Sequence, residues 1–453
     1  MAERLNIAII GAGAAGLAAA WDLARAGHAV TVYESESAVG GLAAGFRDPA
    51  WDWSLEKFYH HWFATDKDVL GLIAEIGHAD KVRFYAPTTS VWHARGVFPL
   101  DKAVLPGALL SRVATVLRMP DLNLIDKFRF GLVGILLKLY PNGITLEKYT
   151  ADAWMERAVG RRAHALVWRP LLIGKFGELY DQVNMAWFWA RIYKRTAKLG
   201  TYVGGFQAML EDLAEAVRGA GATIYLDTPI ARIAPRADGG LDVDAGTRSG
   251  RYDRVICTAG PGLLLRLAPD LPEAYASQVR ALRSLGAVAL ILALDRQLMT
   301  DGTYWLNLPA TSPDRTKNPF PFLALVEHTN YVSPEHFGGD HIVYLGDYVP
   351  ADHEYFRLSE DELAARFIPA LARINPAFRP DWIRRRWLFR APYAQPVPLV
   401  NHTRRLPPLQ TPLPGLLWAS MSQVYPWDRG TNYAVEIGRR AARQVLQGSS
   451  FTL

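Results

Sequence analysis

The sequence has very little cysteine: Cys257 is the only one among 453 residues. A disulfide within the chain and a zinc site made of several cysteines are therefore excluded. Repeats and low-complexity tracts are also absent, and half of the residues are apolar. This composition excludes a disordered or fibrous protein. It is typical of a globular protein with a large core and, at this length, about two or three domains.

A long tract of like charge is missing too. The formal net charge is +6, but the basic residues are scattered, with short runs such as those at 161–162, 384–386 and 439–440. Nucleic-acid binders cluster basic residues on one face and interleave them with aromatics, so we expect no nucleic-acid partner. We interpret the basic residues as solvated faces, with attraction to an anionic membrane surface or an acidic ligand as the alternative.

No long apolar run is suited to cross a membrane. Residues 5–21 carry no charge, but Gly11, Gly13 and Gly16 interrupt them and a basic leader is absent. No other stretch reaches the roughly 18 apolar residues of a spanning helix. We therefore predict a cytoplasmic protein, soluble or peripherally bound to a membrane, and the sequence indicates no oligomeric state.

The motifs of several enzyme classes are absent. The chain has no GxSxG turn, no GxxxxGK[ST] phosphate loop, no HExxH helix and no CxxC pair. His60 and His61 are adjacent, which makes sharing one ion difficult, and no third ligand lies near them in sequence. We expect no metal site.

The first 35 residues predict a βαβ unit. An apolar strand at 5–10 leads into the glycine turn 11–16, an alanine-rich helix at 17–26, a second strand at 28–33 and then Glu34. This order and spacing is the fingerprint of dinucleotide binding. The helix N-terminus would bind the pyrophosphate, and the acid would accept hydrogen bonds from the ribose. The predicted cofactor contacts here are Gly11, Gly13, Ala14, Ala15, Gly16, Glu34 and Ser35.

Three further segments resemble parts of one flavoprotein superfamily. Gly40 and Gly41 follow six residues after Glu34, residues 222–261 form a set of strands, and residues 416–438 contain the pattern WDRGTNYA. Together with the βαβ unit they resemble the FAD-dependent amine oxidase, protoporphyrinogen oxidase and carotenoid desaturase superfamily, with local similarity to UDP-galactopyranose mutase. The resemblance implies non-covalent FAD, contacted also by Gly40, Gly41, Leu42, Ile230, Ala259, Gly260, Asp428, Gly430, Thr431 and Asn432.

The same resemblance implies the architecture. We expect an α/β (α+β) fold in which a Rossmann-like FAD-binding domain carries an inserted substrate domain of mixed sheet and helices. The predicted FAD-binding domain is discontinuous and comprises residues 1–57, 198–285 and 413–453. The substrate domain comprises residues 58–197 and 286–412.

Residues 103–118 and 122–140 are predicted to form two apolar helices. Within the second, residues 128–140 carry only two charges, Arg129 and Lys138. We interpret this segment as a helix packed in the core. The alternative is a lipid-facing surface, which would give the protein peripheral membrane contact through residues 103–140.

Three residues are candidates for catalysis. His60 lies in an aromatic stretch, residues 51–66, that resembles the mutase segment HIFHxxxK, although Phe63 replaces the second histidine. Its imidazole is suited to orient or protonate a substrate near neutral pH, or else it simply packs among the tryptophans. Arg169 would place a cation at the cleft, and Tyr425 belongs to the closing flavin motif.

Ala289 bears on the type of reaction. In amine oxidases of the superfamily the corresponding strand carries a lysine, so alanine argues against amine oxidation. The resemblance therefore implies an FAD-dependent oxidoreductase that removes hydride from a lipophilic or polycyclic substrate by C–C or C–N desaturation. The alternatives are a redox-neutral mutase acting on a nucleotide sugar, an amine oxidase, and a flavin-binding protein without catalysis.

Overall fold

The computed structural model describes residues 4–100, 121–237 and 239–448. The helices in these ranges are α1 (Ala14–Arg25), α2 (Lys67–Glu75), α3 (Leu124–Leu139), α4 (Ala151–Val159), α5 (Arg169–Phe176), α6 (Met185–Lys194), α7 (Gly205–Gly219), α8 (Pro261–Leu267), α9 (Glu273–Ala281), α10 (Glu360–Phe367) and α11 (Thr431–Leu446). A short helical turn, Arg161–Ala163, and a π-helical turn, His164–Trp168, lead into α5.

The described strands are β1 (Asn6–Ile10), β2 (Ala29–Tyr33), β3 (Gly45–Phe46), β4 (Leu55–Glu56), β5 (Trp62–Phe63), β6 (Val82–Tyr85), β7 (Thr88–His93), β8 (Gly96–Pro99), β9 (Leu199–Tyr202), β10 (Thr223–Tyr225), β11 (Arg232–Pro235), β12 (Leu241–Asp244), β13 (Gly250–Tyr252), β14 (Arg254–Cys257), β15 (Ser284–Leu294), β16 (Thr303–Asn307), β17 (Ala324–Glu327), β18 (His341–Val349), β19 (Ile383–Pro396) and β20 (Leu416–Trp418).

A five-stranded parallel sheet forms one half of the molecule. Its strand order is β10-β2-β1-β14-β20, so strands from the beginning, middle and end of the chain pair directly. Parallel sheets need cover on both faces. Helices α1, α7 and α11 cover one face, and α8 and α9 contribute to the apolar cluster on the other. This is the Rossmann-like α/β arrangement expected from the first 35 residues, and it confirms that prediction.

A seven-stranded mixed sheet forms the other half. Its order is β19-β15-β18-β17-β16-β7-β8, antiparallel except between β16 and β7. The run of apolar residues in β15 is almost wholly buried because the strand is central and covered on both faces. Helices α3 to α6 pack together around a third apolar cluster beside this sheet. The mixed sheet and helices match the architecture expected of the substrate side.

Most local predictions for the substrate side are confirmed. The sequence also predicts a helix at 66–77 and a strand pair at 91–100, and these are α2 and the pair β7 and β8. The helix predicted at 122–140 is α3. The side chain of Asn123 caps α3 by accepting a hydrogen bond from the amide of Asp126 at 2.8 Å. The helix expected at 103–118 lies outside the described residues. The strand expected at 228–233 begins only at Arg232.

The interpretation of residues 128–140 as a core helix is wrong for most of α3. Only Val133 and Leu137 on its apolar side are buried, whereas Phe128 is 71% exposed and Leu139 is 73% exposed. Five more large apolar side chains of the helix are exposed: Leu124, Ile125, Leu132, Ile135 and Leu136. One narrow stripe is enough to hold α3 against α4 and α6, and no described residue buries the wider apolar face. No helix in the described part of the chain is long and apolar enough to cross a bilayer.

Helices α1 and α11 bring the two ends of the chain together. A Cβ built on Gly438 would lie only 2.1 Å from the carbonyl oxygen of Ala15, so this glycine allows backbone-to-backbone packing. The N-terminus of α1 is the predicted contact for the pyrophosphate, and the N-terminus of α11 contains two more predicted cofactor contacts, Thr431 and Asn432. The packing thus fixes their relative position.

Candidate functional site

The glycine turn after β1 forms a cradle at the start of α1. Gly11 adopts a φ of 102°, a conformation that glycine accepts easily. A Cβ on Gly16 would lie 1.9 Å from the carbonyl oxygen of Gly11, so only glycine lets the helix approach the strand this closely. Gly13 is the N-cap of α1, where no side chain caps the helix and no acid lies in its first turn. The free amides and the helix dipole are therefore available to a phosphate.

Glu34 stands where β2 ends, and its carboxylate organises the loop around the cradle. One oxygen accepts a hydrogen bond from the amide of Ala12 at 2.7 Å. The other accepts from the amide of Glu36 at 3.1 Å and the hydroxyl of Ser35 at 3.2 Å. A carboxylate has about four acceptor positions, so Glu34 retains capacity for a ribose hydroxyl.

The predicted adenine-side residues lie at the same sheet edge. The amide of Thr228 donates to the carbonyl of Glu34 at 2.8 Å, which places half-buried Ile230 next to the acid. Ala259 and Gly260 follow β14, and the amide of Thr258 donates to the carbonyl of Ile10 at 3.0 Å. Because the carboxyl ends of parallel strands meet at one edge, these segments surround the cradle.

The glycine pair lies directly beside the first loop. The amide of Gly40 donates to the carbonyl of Ala12 at 3.0 Å, and Gly40 bridges Gly13. Gly40 and Gly41 have φ values of 139° and 57°, which favour glycine at both positions. Leu42 then turns toward the apolar cluster of the helical region.

The closing helix α11 begins at the predicted residue, Thr431. Its N-cap, Gly430, has no side-chain cap, and a Cβ placed there would meet no atom within 4 Å. The side chains of the next two residues are already used: Thr431 accepts from Trp62 Nε1 at 2.6 Å, and Asn432 Oδ1 accepts from the amide of Val69 at 3.1 Å. The helix N-terminus therefore faces open space through its backbone.

Asp428 has a different environment from the other predicted cofactor contacts. Its carboxylate accepts from Lys175 Nζ at 3.2 Å and Trp187 Nε1 at 3.2 Å, and it pairs with Arg191. Burial alone raises the pKa of Asp428, but three neighbouring cations hold it far below its ordinary value. Asp428 thus anchors a charged cluster two residues before Gly430.

His60 packs against Phe206, at the start of α7, and is neutral over the physiological range. Burial lowers the pKa of His60 to about 4. Its Nδ1 lies 2.5 Å from the carbonyl of Phe58 and must carry the proton, because a carbonyl only accepts. Nε2 is then an acceptor, so His60 can accept a hydrogen bond but cannot serve as an acid at pH 7. Burial lowers the pKa of the adjacent His61 further, to about 3.

The other two catalytic candidates, Arg169 and Tyr425, make no described contact with His60. Arg169 pairs with Asp152 at 2.9 Å and Glu156 at 3.2 Å in the helical region, where His164 also binds Asp152. The hydroxyl of Tyr425 donates to Glu147 at 3.0 Å. Arg169 serves an ion-pair network, and the cation that meets the closing segment is Lys175, one and a half turns further along α5.

Two functional candidates escaped the sequence analysis. Lys175 is the only charged residue after Arg169 in the otherwise apolar helix α5, and an isolated charge in such a run was an available signal. Arg429 lies inside the closing motif and binds the hydroxyl of Tyr348 and the carbonyl of Ala394. Its contacts come from two strands of the mixed sheet, which no local pattern connects to it.

Cys257 and the described acidic and histidine residues offer no competing chemistry. Burial in β14 raises the pKa of the Cys257 thiol to about 12, which makes it unreactive. Within residues 4–100, 121–237 and 239–448, no three His, Cys, Asp or Glu side chains are grouped to hold a metal ion.

Glu56 links β4 to the start of α7 and gives a pH-dependent prediction. Its side chain is buried and accepts from the amide of Phe206 at 2.8 Å, and burial raises its pKa from 4.5 to about 7. The folded state therefore holds a proton that the unfolded state releases, so this residue's contribution to stability is lost as pH rises from 4.5 through 7. Glutamine does not titrate, so the difference in free energy of unfolding between Glu56→Gln and wild type is expected to change with pH. From pH 5 to pH 8 it should shift in favour of the variant by on the order of 2–3 kcal/mol.

Urea unfolding at both pH values measures this difference. Glu335→Gln, at an exposed position, serves as the matched control. A difference between Glu56→Gln and wild type that stays constant with pH would contradict the expected titration.

The residues around the cradle fit an adenine dinucleotide that ends in a flavin. The N-termini of α1 and α11 carry no side-chain cap, both begin at glycines, and Glu34, the predicted ribose contact, hydrogen-bonds the loop that leads into α1. Reduced flavin carries negative charge near N1 and O2, and the free N-terminus of α11 is suited to stabilise it.

Comparison with known proteins agrees with this geometry. Residues 14–446 match the family described as flavin containing amine oxidoreductase. The chain is 27% identical over 281 residues to a carotenoid phi-ring synthase from Streptomyces griseus, covering 59% of this chain and 54% of that enzyme. It is 32% identical over 160 residues to a 15-cis-phytoene desaturase from Synechococcus elongatus, covering 34% of this chain and 32% of that enzyme. The matches therefore span about a third to a half of these curated relatives.

One solved structure covers nearly the whole fold. A putative protoporphyrinogen oxidase from an Exiguobacterium species superposes with a TM-score of 0.75 over 98% of this chain and 99% of the other, at 18% identity. The comparisons confirm the predictions of an FAD-dependent oxidoreductase and of FAD as its cofactor. The chain belongs to the flavin-containing amine oxidoreductase family.

Proposed function

We propose that the protein is an FAD-dependent dehydrogenase that introduces a double bond, C–C or C–N, into a lipophilic or polycyclic substrate. One observation carries this proposal. One apolar cluster, which contains Trp187 and Tyr348, also receives side chains from three segments next to predicted site residues. These side chains are Leu42 beside the glycine pair, Phe58 close to His60, and Trp427 close to Gly430. An aromatic wall next to the cofactor-facing residues is suited to an apolar substrate.

The chain's own residues supply orientation and exclusion of water. FAD bound at the cradle would supply the two-electron oxidation, taking up the equivalent of a hydride from the substrate while the second proton passes to water. His60 Nε2 is placed to accept a hydrogen bond without competing as an acid. Ala289, at the lysine position of amine oxidases, is buried opposite Gly346, and Tyr59 closes the space over that glycine. The space that a lysine side chain would need at this position is thus occupied by other residues, which supports desaturation over amine oxidation.

Anaerobic reduction of the purified holoenzyme tests the proposal. Addition of a porphyrinogen or a polyene is expected to bleach the flavin band near 450 nm, whereas amines leave it unchanged. Photoreduced enzyme incubated with UDP-galactopyranose is expected to give no furanose product. Bleaching by amines alone, or formation of the furanose, would replace this proposal with amine oxidation or mutase activity respectively.

We also infer that the substrate enters from an anionic membrane surface through α3. Seven of the helix's large apolar side chains are exposed, while its acid, Asp126, is buried. Lys138 donates to the carbonyls of Tyr193 and Arg195, which joins the basic end of α6 to this face. An apolar face rimmed by lysine and arginine is complementary to an anionic bilayer interface.

Replacing two exposed residues of α3 tests this surface. The double variant Phe128→Ser, Leu139→Ser is expected to lose more than about tenfold in binding to phosphatidylglycerol vesicles, because each side chain contributes about 1.5–3 kcal/mol when buried. Vesicle co-sedimentation at low salt measures the partition. Leu263→Ser on exposed α8 is the control and is expected to bind as wild type does. Equal sedimentation of the α3 variant and wild type would exclude this face.

A further inference from the structure

A cluster of charges lies between the aromatic wall and Gly430. Asp428 is contacted by Lys175 from α5 and Arg191 from α6, and Arg429 follows it in the chain. The cations lie over aromatic faces: Lys175 is 5.4 Å from the ring centres of Trp187 and Tyr348. The group is thus built from four separate segments of the chain.

The charges in this cluster do not cancel. Arg191 and Arg429 are permanently charged, whereas Asp428 supplies a single negative charge. Arg429 hydrogen-bonds only neutral groups among its described partners, the hydroxyl of Tyr348 and the carbonyl of Ala394. The cluster therefore carries at least one surplus positive charge, and two when Lys175 is protonated.

No other acid in the described contacts removes this surplus. Asp347 on the adjacent strand β18 is already paired with Arg315, at 2.7 Å. Burial first, and then the nearby arginines, lower the pKa of Lys175 well below its ordinary value. An isolated buried charge is costly unless it is paired.

The cluster is open toward the proposed substrate space. Lys175, Asp428 and Arg429 are only half-buried, and the adjacent Gly430 faces open space. Phe58 and Trp427 lie in the apolar cluster on the same side. A ligand with an apolar body along this wall would therefore bring one end to the cations.

We propose that Lys175, Arg191 and Arg429 bind an anionic group of the substrate, a carboxylate or a phosphate, so that the enzyme acts on amphipathic molecules with one anionic end. This inference rests on the proposed function and narrows its substrate class. It disfavours amines, which the surplus charge repels, and gives no advantage to pure hydrocarbons. Charge-assisted hydrogen bonds to such a group are stronger than neutral ones.

Three eight-carbon probes with different head groups test the site. Octyl phosphate, octanol and octylamine are titrated separately into the holoenzyme, below the concentrations at which they aggregate, and the perturbation of the flavin spectrum reports binding. Octyl phosphate is expected to bind more than about tenfold tighter than octanol, with octylamine weakest. Arg429→Met and Lys175→Met are expected to reduce the preference for the phosphate to less than about threefold while binding of octanol changes little.

Controls separate this inference from the proposed function. Lys317→Met, an exposed lysine far along the sequence on the mixed-sheet side, is expected to keep the full preference. The flavin content and melting temperature of each variant are measured first, and Arg429→Lys, which retains the charge, is used if Arg429→Met does not fold. A chain that binds no FAD contradicts the proposed function. A flavin-loaded enzyme that binds the three probes equally, or whose variants change only the flavin potential, contradicts the anion site alone.

Discussion

Gly438→Ala is expected to deprive the protein of most of its flavin and to lower its stability by on the order of 3 kcal/mol. The added Cβ would lie 2.1 Å from the carbonyl oxygen of Ala15 and 2.9 Å from its carbonyl carbon, so one helix must move. Both neighbours are backbone atoms, which cannot rotate away as a side chain does. Because the N-termini of α1 and α11 are both predicted to contact the cofactor, the displacement alters the span between Gly13 and Gly430.

The ratio of absorbance at 450 nm to that at 280 nm measures flavin loading, and thermal unfolding of the FAD-reconstituted protein measures stability. Gly71→Ala in α2 is the matched control, since its Cβ would meet no atom within 4 Å. That variant is expected to retain its flavin and to gain up to about 1 kcal/mol from helix propensity. Full flavin loading of Gly438→Ala with an unchanged melting temperature would show that α1 and α11 do not need this close approach.

The sequence predicted the cofactor half well because its signals are local. The strand, glycine turn, helix and acid of the βαβ unit are contiguous, and each glycine answers a backbone requirement within a few residues. Gly438 is different. It lies inside a helix, where the sequence gives it no role, and its partner Ala15 is distant in the chain. Only the packing of the two helices shows why it must be glycine.

The catalytic candidates could not be predicted as well, because their roles depend on contacts that are distant in sequence. The aromatic stretch makes His60 a candidate, but the protonation state of an imidazole depends on the surroundings that bury it. Arg169 and Lys175 lie on one helix, and no pattern tells which of them meets the closing segment. That choice is decided by the contact between α5 and Asp428, which is distant in sequence.

Helix α3 shows that the sequence alone does not predict whether an apolar helix is buried or exposed. Its composition predicts an apolar helix equally well for a core and for a lipid-facing surface, since both place leucine and phenylalanine in a dry environment. The distinction comes from how many neighbours the fold supplies. Here α4 and α6 cover only a stripe of it.

Asp428→Asn is expected to be the most destabilising of the conservative substitutions at the site, by about 3–5 kcal/mol. The change keeps the shape of the side chain but removes the one negative charge among Lys175, Arg191 and Arg429. The side chains of Lys175 and Asp428 are only 13% and 20% exposed, so removal of the carboxylate leaves largely desolvated cations without a partner, which costs more than losing a surface pair. Urea unfolding of the holoenzyme measures the loss. Asp270→Asn, which breaks the exposed pair with Arg232, is the control and is expected to change stability by less than about 1 kcal/mol.

Two further measurements connect this loss to charge rather than to shape. The double variant Asp428→Asn, Lys175→Met is expected to recover part of the lost stability, because it removes one of the unpaired cations. Octyl phosphate is expected to raise the melting temperature of Asp428→Asn more than that of wild type, since a bound anion replaces the missing carboxylate and stabilises only the folded state. A single variant as stable as Asp270→Asn would mean that the cations do not depend on Asp428. An equal response of both proteins to octyl phosphate would mean that the anion does not bind at this cluster.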